Sequence, residues 1–320
     1  MNDIERFGDA APALSVKPMV EQAAPLAEGC SVCAVIVTYH PAASLSASIL
    51  RLRVQVGKVV LVDNTPGAAP SAAIEDAALR HGCAVIRNES NLGIAAALNI
   101  GVNWAISHGY AWVALFDQDS MVEGSYIEGM FSRYAATKDR ERIGLLAPRY
   151  KDPETGVCAR LSRLADDGAP LEIMTSGSLI PLTVFSDCGL FREDFFIDQV
   201  DHEFSFRIRN FGHTVVICPE VFLLHATGQP KRHSLLGLVS FRTTHHSAPR
   251  RYYMTRNTLF MMRQYGRRYP AWAWHAFAFL LFAMPIKILL AEEGKWAKLR
   301  NIGLGAIDAL LGRLGKRVEI

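Results

Sequence analysis

Trp112-Val113-Ala114-Leu115-Phe116-Asp117-Gln118-Asp119 is an apolar run that stops on two carboxylates one residue apart. Its length and composition suit a strand buried on both faces, with Asp117 and Asp119 at the C-terminal exit. Two carboxylates placed there can grip a hard divalent cation, and that cation can neutralise a diphosphate leaving group. A solvated turn is the bland alternative, and the tripeptide alone does not decide between them.

Three shorter apolar runs precede it, at 33–39, 59–62 and 84–86. Helical patterns separate them at 44–55, 71–81 and 94–108. Strands alternating with helices in this way predict an α/β fold, a parallel sheet with helices on both faces. Each run ends in polar residues: Thr38 and Tyr39, Asp63 and Asn64, Arg87 and Asn88, Asp117 and Asp119. In open α/β sheets that edge is where ligands bind. Further strands are expected at 143–147, 178–181 and 214–218, with a helix over 200–211.

The 320 residues are half hydrophobic, enough for a sizeable core. They divide into a flexible tail over 1–29, an α/β domain over 30–230 and a basic, aromatic helical region over 231–320. The net charge of +3 conceals an asymmetry, because 16 Lys or Arg face 4 acidic residues from Lys231 onward. That balance points to an anionic surface as partner for the C-terminal region. No nucleic-acid motif accompanies the charge, so lipid is the expected surface. Six scattered cysteines, with Cys30 and Cys33 as a lone C-x-x-C, read as reduced and buried rather than as a metal or redox pair. No basic segment followed by an apolar stretch opens the chain, so no signal peptide is expected.

A second acidic cluster, Asp198, Asp201 and Glu203, lies among Phe195, Phe196, Ile197, Val200 and Phe204. Such neighbours can hold a carboxylate in a partly dry setting suited to general-base work. A helix-dipole partner is an equally good reading of Asp201 by spacing alone. His225 ends another apolar run and is of a type that can complete a site for Mn2+ or Mg2+.

Taken in order, Val35-Ile36-Val37-Thr38-Tyr39, Val62-Asp63-Asn64, Asn88-x-x-Asn91-Leu92-Gly93, Asp117-Gln118-Asp119, Ser176-Gly177-Ser178-Leu179-Ile180 and Phe196-Ile197-Asp198-x-x-Asp201-x-Glu203 resemble family 2 glycosyltransferases. Bacterial rhamnosyltransferases of polysaccharide assembly are the most similar, over about residues 33–265. The resemblance implies a GT-A fold, Rossmann-like and mostly parallel, and transfer with inversion from a nucleotide sugar, dTDP-rhamnose by this likeness. It implies that Thr38, Tyr39 and Asp63 hold the base and that Arg87, Asn91 and Gly93 support the nucleotide. Asp117 would reach ribose or metal, with Asp119 and His225 as metal ligands. Asp201 falls on the catalytic base, with Glu203 beside it; Ser176, Ser178 and Asp198 would lie near the acceptor, a glycan or lipid-linked glycan. The family's Glu-Asp pair is here Val200-Asp201, which leaves the division between Asp201 and Glu203 open.

Residues 271–284 form an apolar stretch with paired tryptophans, shorter than the ~20 residues of a spanning helix and interrupted by Pro285 and Lys287. An interfacial helix on the cytoplasmic face of the inner membrane is the favoured reading, with the membrane surface met by 250–314 and Arg250, Arg251, Arg267 and Arg268 facing anionic lipid or the diphosphate of a lipid-linked acceptor. A homo-oligomer formed through a helical hairpin and a true membrane span are the alternatives. Among enzymes, an aspartyl-nucleophile phosphatase is a rival for the D-x-D, but it wants that motif on the first strand. A sugar-nucleotide binder without turnover is the non-catalytic rival.

Overall fold

The computed structural model describes residues 31–67, 70–153, 155–158, 164–225, 231–235, 239–243 and 245–319. The expected tail over 1–29 and Cys30 lie outside them. In chain order the elements are β1 (Val32–Thr38), α1 (Leu45–Leu52), β2 (Lys58–Asp63), α2 (Ala72–His81), β3 (Ala84–Arg87), α3 (Ile94–Ser107), β4 (Trp112–Asp117) and β5 (Met121–Val122). There follow α4 (Tyr126–Ala136), β6 (Ile143–Lys151), β7 (Leu179–Pro181), α5 (Thr183–Cys188), α6 (Val200–Asn210) and β8 (Thr214–Leu224). The hairpin β9 (Lys231–Leu235) and β10 (Val239–Thr243) leads to α7 (Ala248–Tyr265), α8 (Pro270–Ala278), α9 (Met284–Ala291) and α10 (Lys295–Leu310).

Eight strands form one sheet in the order β3-β2-β1-β4-β7-β6-β8-β5. The first four are parallel, as their buried apolar runs require, whereas β7 pairs antiparallel with both β4 and β6. Alternation along β1 divides the core: Cys33, Val35 and Val37 face one cluster, and Val32, Ala34 and Ile36 face the other. Burial pushes the Cys33 thiol up to about 12, with Lys58 opposing, so it stays protonated and inert. The elements β5, α4 and α5 are additions to the pattern read from the sequence.

The C-terminal helices belong to the same core. Met261 and Tyr265 of α7 and Trp272 of α8 pack in the cluster that contains Val35 and Phe204. Two expectations for this region change. Arg251 does not face lipid: it is buried and bonds Glu292 at 2.6 Å, and Lys298 bonds the other Glu292 oxygen at 2.8 Å. Burial raises Glu292, but the Lys298 hydrogen bond and the two cationic charges outweigh it and hold the carboxyl below its ordinary range. Nor does Pro285 end the apolar helix. A π-helical turn at Phe279–Ala283 absorbs the missing N–H, and Pro270–Ala291 runs as one 22-residue helix, long and apolar enough to cross a membrane. Leu280, Met284 and Ile288 on one stripe of that helix are buried against Leu259, Leu299 and Ile302. Trp274, Leu281, Phe282 and Ile286 stand exposed on the remaining surface.

Candidate active site

The chain reverses its spatial order at β1, where β2 lies on one side and β4 on the other, and this opens a crevice at the C-terminal edge. The register aligns Thr38, Asp63 and Arg87 in one row at this edge, and Asp117 lies opposite Val37, one residue before Thr38. Thr38 Oγ1 and the Thr65 N–H each donate to Asp63 Oδ1 at 3.1 Å, and Arg87 Nε lies 3.5 Å from Oδ2. Asp63 is thus a buried, oriented acceptor at the floor of the row. Tyr39 leaves its ring partly exposed above it. Its backbone is clasped by Gln118, which accepts from the Tyr39 N–H at 2.8 Å and donates to the Tyr39 carbonyl at 3.1 Å. The middle residue of the D-x-D therefore ties the exit of β1 to that of β4.

The loop after β3 is held by asparagines. Asn88 donates to Asn64 Oδ1 at 2.8 Å, and Asn64 donates to the Gly93 carbonyl at 3.0 Å and Asn91 Oδ1 at 3.3 Å. The Asn91 carbonyl oxygen also accepts from the Gly93 N–H, so that oxygen is turned into the loop rather than toward a ligand. Gly93 has φ +88°, and a Cβ there would lie 2.5 Å from the Phe196 carbonyl oxygen. This corrects the expectation of a nucleotide contact at Gly93, because protein fills the space. The glycine lets α3 begin against Phe196, whose oxygen accepts from the Ile94 N–H at 2.8 Å.

Asp117, Asp119 and His225 each offer one ligating atom, and the three atoms lie within 4.8 Å of one another. His225 arrives from the end of β8, and its Nδ1 sits 3.0 Å from Ser120 Oγ and 3.9 Å from Asp119 Oδ1. Burial pushes the Asp117 carboxyl up to about 6; the charges of Asp119 and Asp201 add to this, while His225 and a hydrogen bond from Ser176 oppose it. The charges of Asp119, Asp201 and His225 therefore all reach Asp117. Two hard carboxylates with one imidazole fit Mn2+ or Mg2+, and a cation among them would relieve the crowding of like charge.

Asp201 stands in the first turn of α6, with its Oδ1 accepting from the His202 N–H at 2.9 Å. Its side chain remains 28% exposed. Asp198 is close enough for its charge to feel Asp201 and is bonded by Arg250 Nε and Nη2 at 3.1–3.3 Å. Burial nevertheless leaves Asp198 above its ordinary value.

Three expected site residues are placed elsewhere. Glu203 is wholly buried, bonded by Arg207 at 3.0–3.2 Å and by the Tyr265 hydroxyl at 2.8 Å, so it faces the core. Two residues along a helix is about 200° of rotation, which turns it away from Asp201. Ser176 and Ser178 are buried too, with their hydroxyls bonded to protein groups. Ser178 Oγ donates to the Met174 carbonyl, and Ser176 Oγ accepts from the Asp117 N–H at 3.0 Å. A hydroxyl contact of 2.8 Å joins Ser176 to Ser120, so Ser176, Ser120 and His225 form a continuous support beneath Asp117.

The profile of glycosyl transferase family 2 matches residues 33–195. The chain is 30% identical over 246 residues to the dTDP-rhamnosyl transferase RfbF of Shigella flexneri, covering 72% of this chain and 79% of that protein. The chain belongs to glycosyl transferase family 2. Solved structures share its fold: the first 349 residues of S. aureus TarS in complex with UDP-GlcNAc (TM-score 0.58, 11% identity, 87% of this chain and 81% of that one) and the mannosyltransferase PcManGT of Pyrobaculum calidifontis in complex with GDP-Man and Mn2+ (TM-score 0.55, 17% identity, 88% and 74%). The fold of this family 2 glycosyltransferase is accordingly GT-A, with a helical segment after it.

Among its site-supporting residues, Gln118, Ser120 and Tyr150 carry no role in the sequence reading, and Arg250, expected at an anionic surface, is bonded to Asp198 instead. Tyr150 donates to the Met174 and Ser176 carbonyls at 2.9 and 3.2 Å beneath the carboxylates. Burial, with the charges of Asp201 and Asp117, raises its phenol far above the ordinary value, so it stays a neutral donor. Gln118 within the D-x-D and Ser120 next to it offered a local signal.

Proposed function

We propose that this glycosyltransferase moves L-rhamnose from dTDP-L-rhamnose, with inversion, onto a hydroxyl of a lipid-linked glycan or polysaccharide. The observation that carries the transfer reading is the convergence of Asp117, Asp119 and His225 at the sheet edge, with the charge of Asp201 reaching Asp117. Support for the donor comes from the Shigella relative, whose name is that of a dTDP-rhamnosyl transferase. Asp63, oriented by Thr38 and Thr65, would accept from the imide N–H of a pyrimidine base, with Arg87 and Tyr39 beside it.

Asp117, Asp119 and His225 would hold a divalent cation, which when bound supplies positive charge against the oxygens of the departing diphosphate. Asp201 would take the proton of the acceptor hydroxyl as its oxygen forms the new bond to the anomeric carbon. The old bond to the diphosphate oxygen breaks on the opposite face, so configuration inverts and no sugar–enzyme intermediate forms. Asp198, drawn to Arg250, would line the acceptor side.

Nucleoside diphosphate release from a panel of nucleotide sugars, with and without Mn2+ or Mg2+, tests this reading. dTDP-rhamnose should turn over fastest and only with metal. Preference for a UDP-hexose would keep the transferase and replace the donor. Release of inorganic phosphate from phosphomonoesters would point to the phosphatase instead.

The exposed face of Pro270–Ala291 would lie on anionic lipid at the cytoplasmic surface of the membrane. One stripe of the helix is packed on protein, which suits a helix lying along the bilayer better than one crossing it. Arg267, Lys287, Lys295 and Arg300 on or beside these helices provide the matching charge. Removing residues 271–320 would also strip Trp272, Met284 and Ile288 from the packed interior, so point substitutions are the cleaner test. Trp274→Glu, Phe282→Glu and Ile286→Glu together should weaken sedimentation with phosphatidylglycerol vesicles at least about 100-fold, since each buried apolar side chain contributes about 1.5–3 kcal/mol. Donor hydrolysis should be unchanged. A triple variant that sediments like the parent would remove the interfacial role, and a switch from dimer to monomer would assign the face to a second copy.

A further inference from the structure

We propose that Asn257, on α7 and 62 residues beyond the family match, is a positioning residue that fixes the loop delivering Asp201. The inference rests on the reading of Asp201 as the base. The loop between Phe195 and α6 has an unfavourable backbone: Phe196, Asp198 and Gln199 have φ of 65°, 62° and 66°. The Ile197 N–H bonds the Phe195 carbonyl at 2.8 Å, and Phe196 between them has ψ −62°, a γ-turn of the strained, positive-φ kind. Three non-glycine residues in this region persist only where surrounding structure over-determines them. Gln199 then caps α6, and Asp201 follows in its first turn. Wherever this loop sits, the Asp201 carboxylate sits.

Every backbone carbonyl from Phe195 to Asp198 has an external donor. The Asn257 side-chain amide reaches three of them, those of Phe195, Ile197 and Asp198, at 3.0, 2.8 and 2.8 Å. The fourth, of Phe196, accepts from the Ile94 N–H across the contact that Gly93 permits. Arg256 Nε donates to Asn257 Oδ1 at 2.9 Å, which sets the orientation of the amide so that its NH2 faces the loop. The same guanidinium bonds the Asp194 and Phe195 carbonyls and lies over the rings of Tyr252 and Tyr253. Asn257 and Arg256 are completely buried, so neither touches a substrate; they act through the loop. The loop is gripped from the nucleotide side by the start of α3 and from the other side by α7. Its shape is thereby coupled to both.

The test uses the full chain and two substitutions. Asn257→Asp keeps the volume and removes the donors; Asn257→Ser keeps one donor. Each is measured for turnover of the nucleotide sugar that the donor screen identifies, per molecule competent to bind dTDP with Mn2+. Displacement of a catalytic group by about 1 Å costs on the order of 100-fold in rate. Asn257→Asp should therefore lower kcat about 100-fold and Asn257→Ser about 10-fold, with dTDP affinity within about twofold of the parent. In an Asp201→Asn background, Asn257→Asp should add little, because the group it positions is already gone. Variants that melt earlier but keep kcat per competent molecule would overturn the proposal. So would a loss that multiplies in full with that of Asp201→Asn. If Asn257→Asp yields no folded protein, the Asn257→Ser rate decides alone. Near-normal turnover by Asp201→Asn would instead defeat the base assignment, a result distinct from an unaffected Asn257 series beside an inactive Asp201→Asn.

Discussion

Asp201→Asn is expected to cut transfer by about 10²–10⁴-fold while dTDP and Mn2+ still bind, the range typical of removing a positioned general base. Asparagine keeps the size of the side chain and can still accept a hydrogen bond from the His202 N–H. What it cannot do is take a proton from the acceptor hydroxyl. Asp201 lies outside the trio whose ligating atoms converge on the cation position, so the donor complex should survive. The loss should therefore fall on kcat, with the KM for the donor nearly unchanged. Single-turnover kinetics with saturating donor and titration calorimetry of dTDP with Mn2+ separate the two effects. A variant that binds donor ten times more weakly and turns over at the parental rate would place Asp201 in the donor site instead.

Asp119→Ala should have the complementary effect. Asp119 is the most exposed of the three converging groups, its side chain 58% accessible, so its removal leaves no buried partner stranded and the fold should hold. Among the described residues it contributes one of the two carboxylates at the cation position. Changing residues that merely orient metal ligands typically costs 10–100-fold in affinity, so deleting a ligand should cost at least about 100-fold in Mn2+ affinity. Calorimetry should show that dTDP no longer binds more tightly with Mn2+ than without it, and activity should be lost at every practical metal concentration. Parental Mn2+ affinity in Asp119→Ala would exclude this trio as the metal site. Together the two variants separate the group that holds the leaving diphosphate from the group that activates the nucleophile.

Much of this site was legible without coordinates, and the reason is local. A strand buried on both faces must be apolar throughout, so the first polar residues after it mark its exit. Thr38, Asp63, Arg87 and Asp117 mark such exits, and the observed register brings all four to one edge of the sheet. Gly93 was recognisable as special but not for the right reason. A glycine announces a close approach, whereas the approaching group, the Phe196 carbonyl, is 103 residues away in the chain. The apolar helix continues through Pro285, where the sequence shows a missing N–H but not the π-helical turn that accommodates it.

By itself the sequence determined the alternation of strands and helices, the sheet edge that carries the polar groups and the paired carboxylates on β4. These follow from periodicity and from the polarity of neighbouring residues. Only the tertiary structure decided which polar groups meet a cleft and which are sealed behind it. Asp201 and Glu203 are two positions apart and look alike in sequence, yet one stands part-exposed and the other pairs with Arg207 and Tyr265 in the core. Ser176 and Ser178 likewise became supports, and Asn257 became a clamp, because elements distant in the chain close over them. The direction in which a side chain points is a local property of the backbone; what covers it depends on the packing of the whole chain.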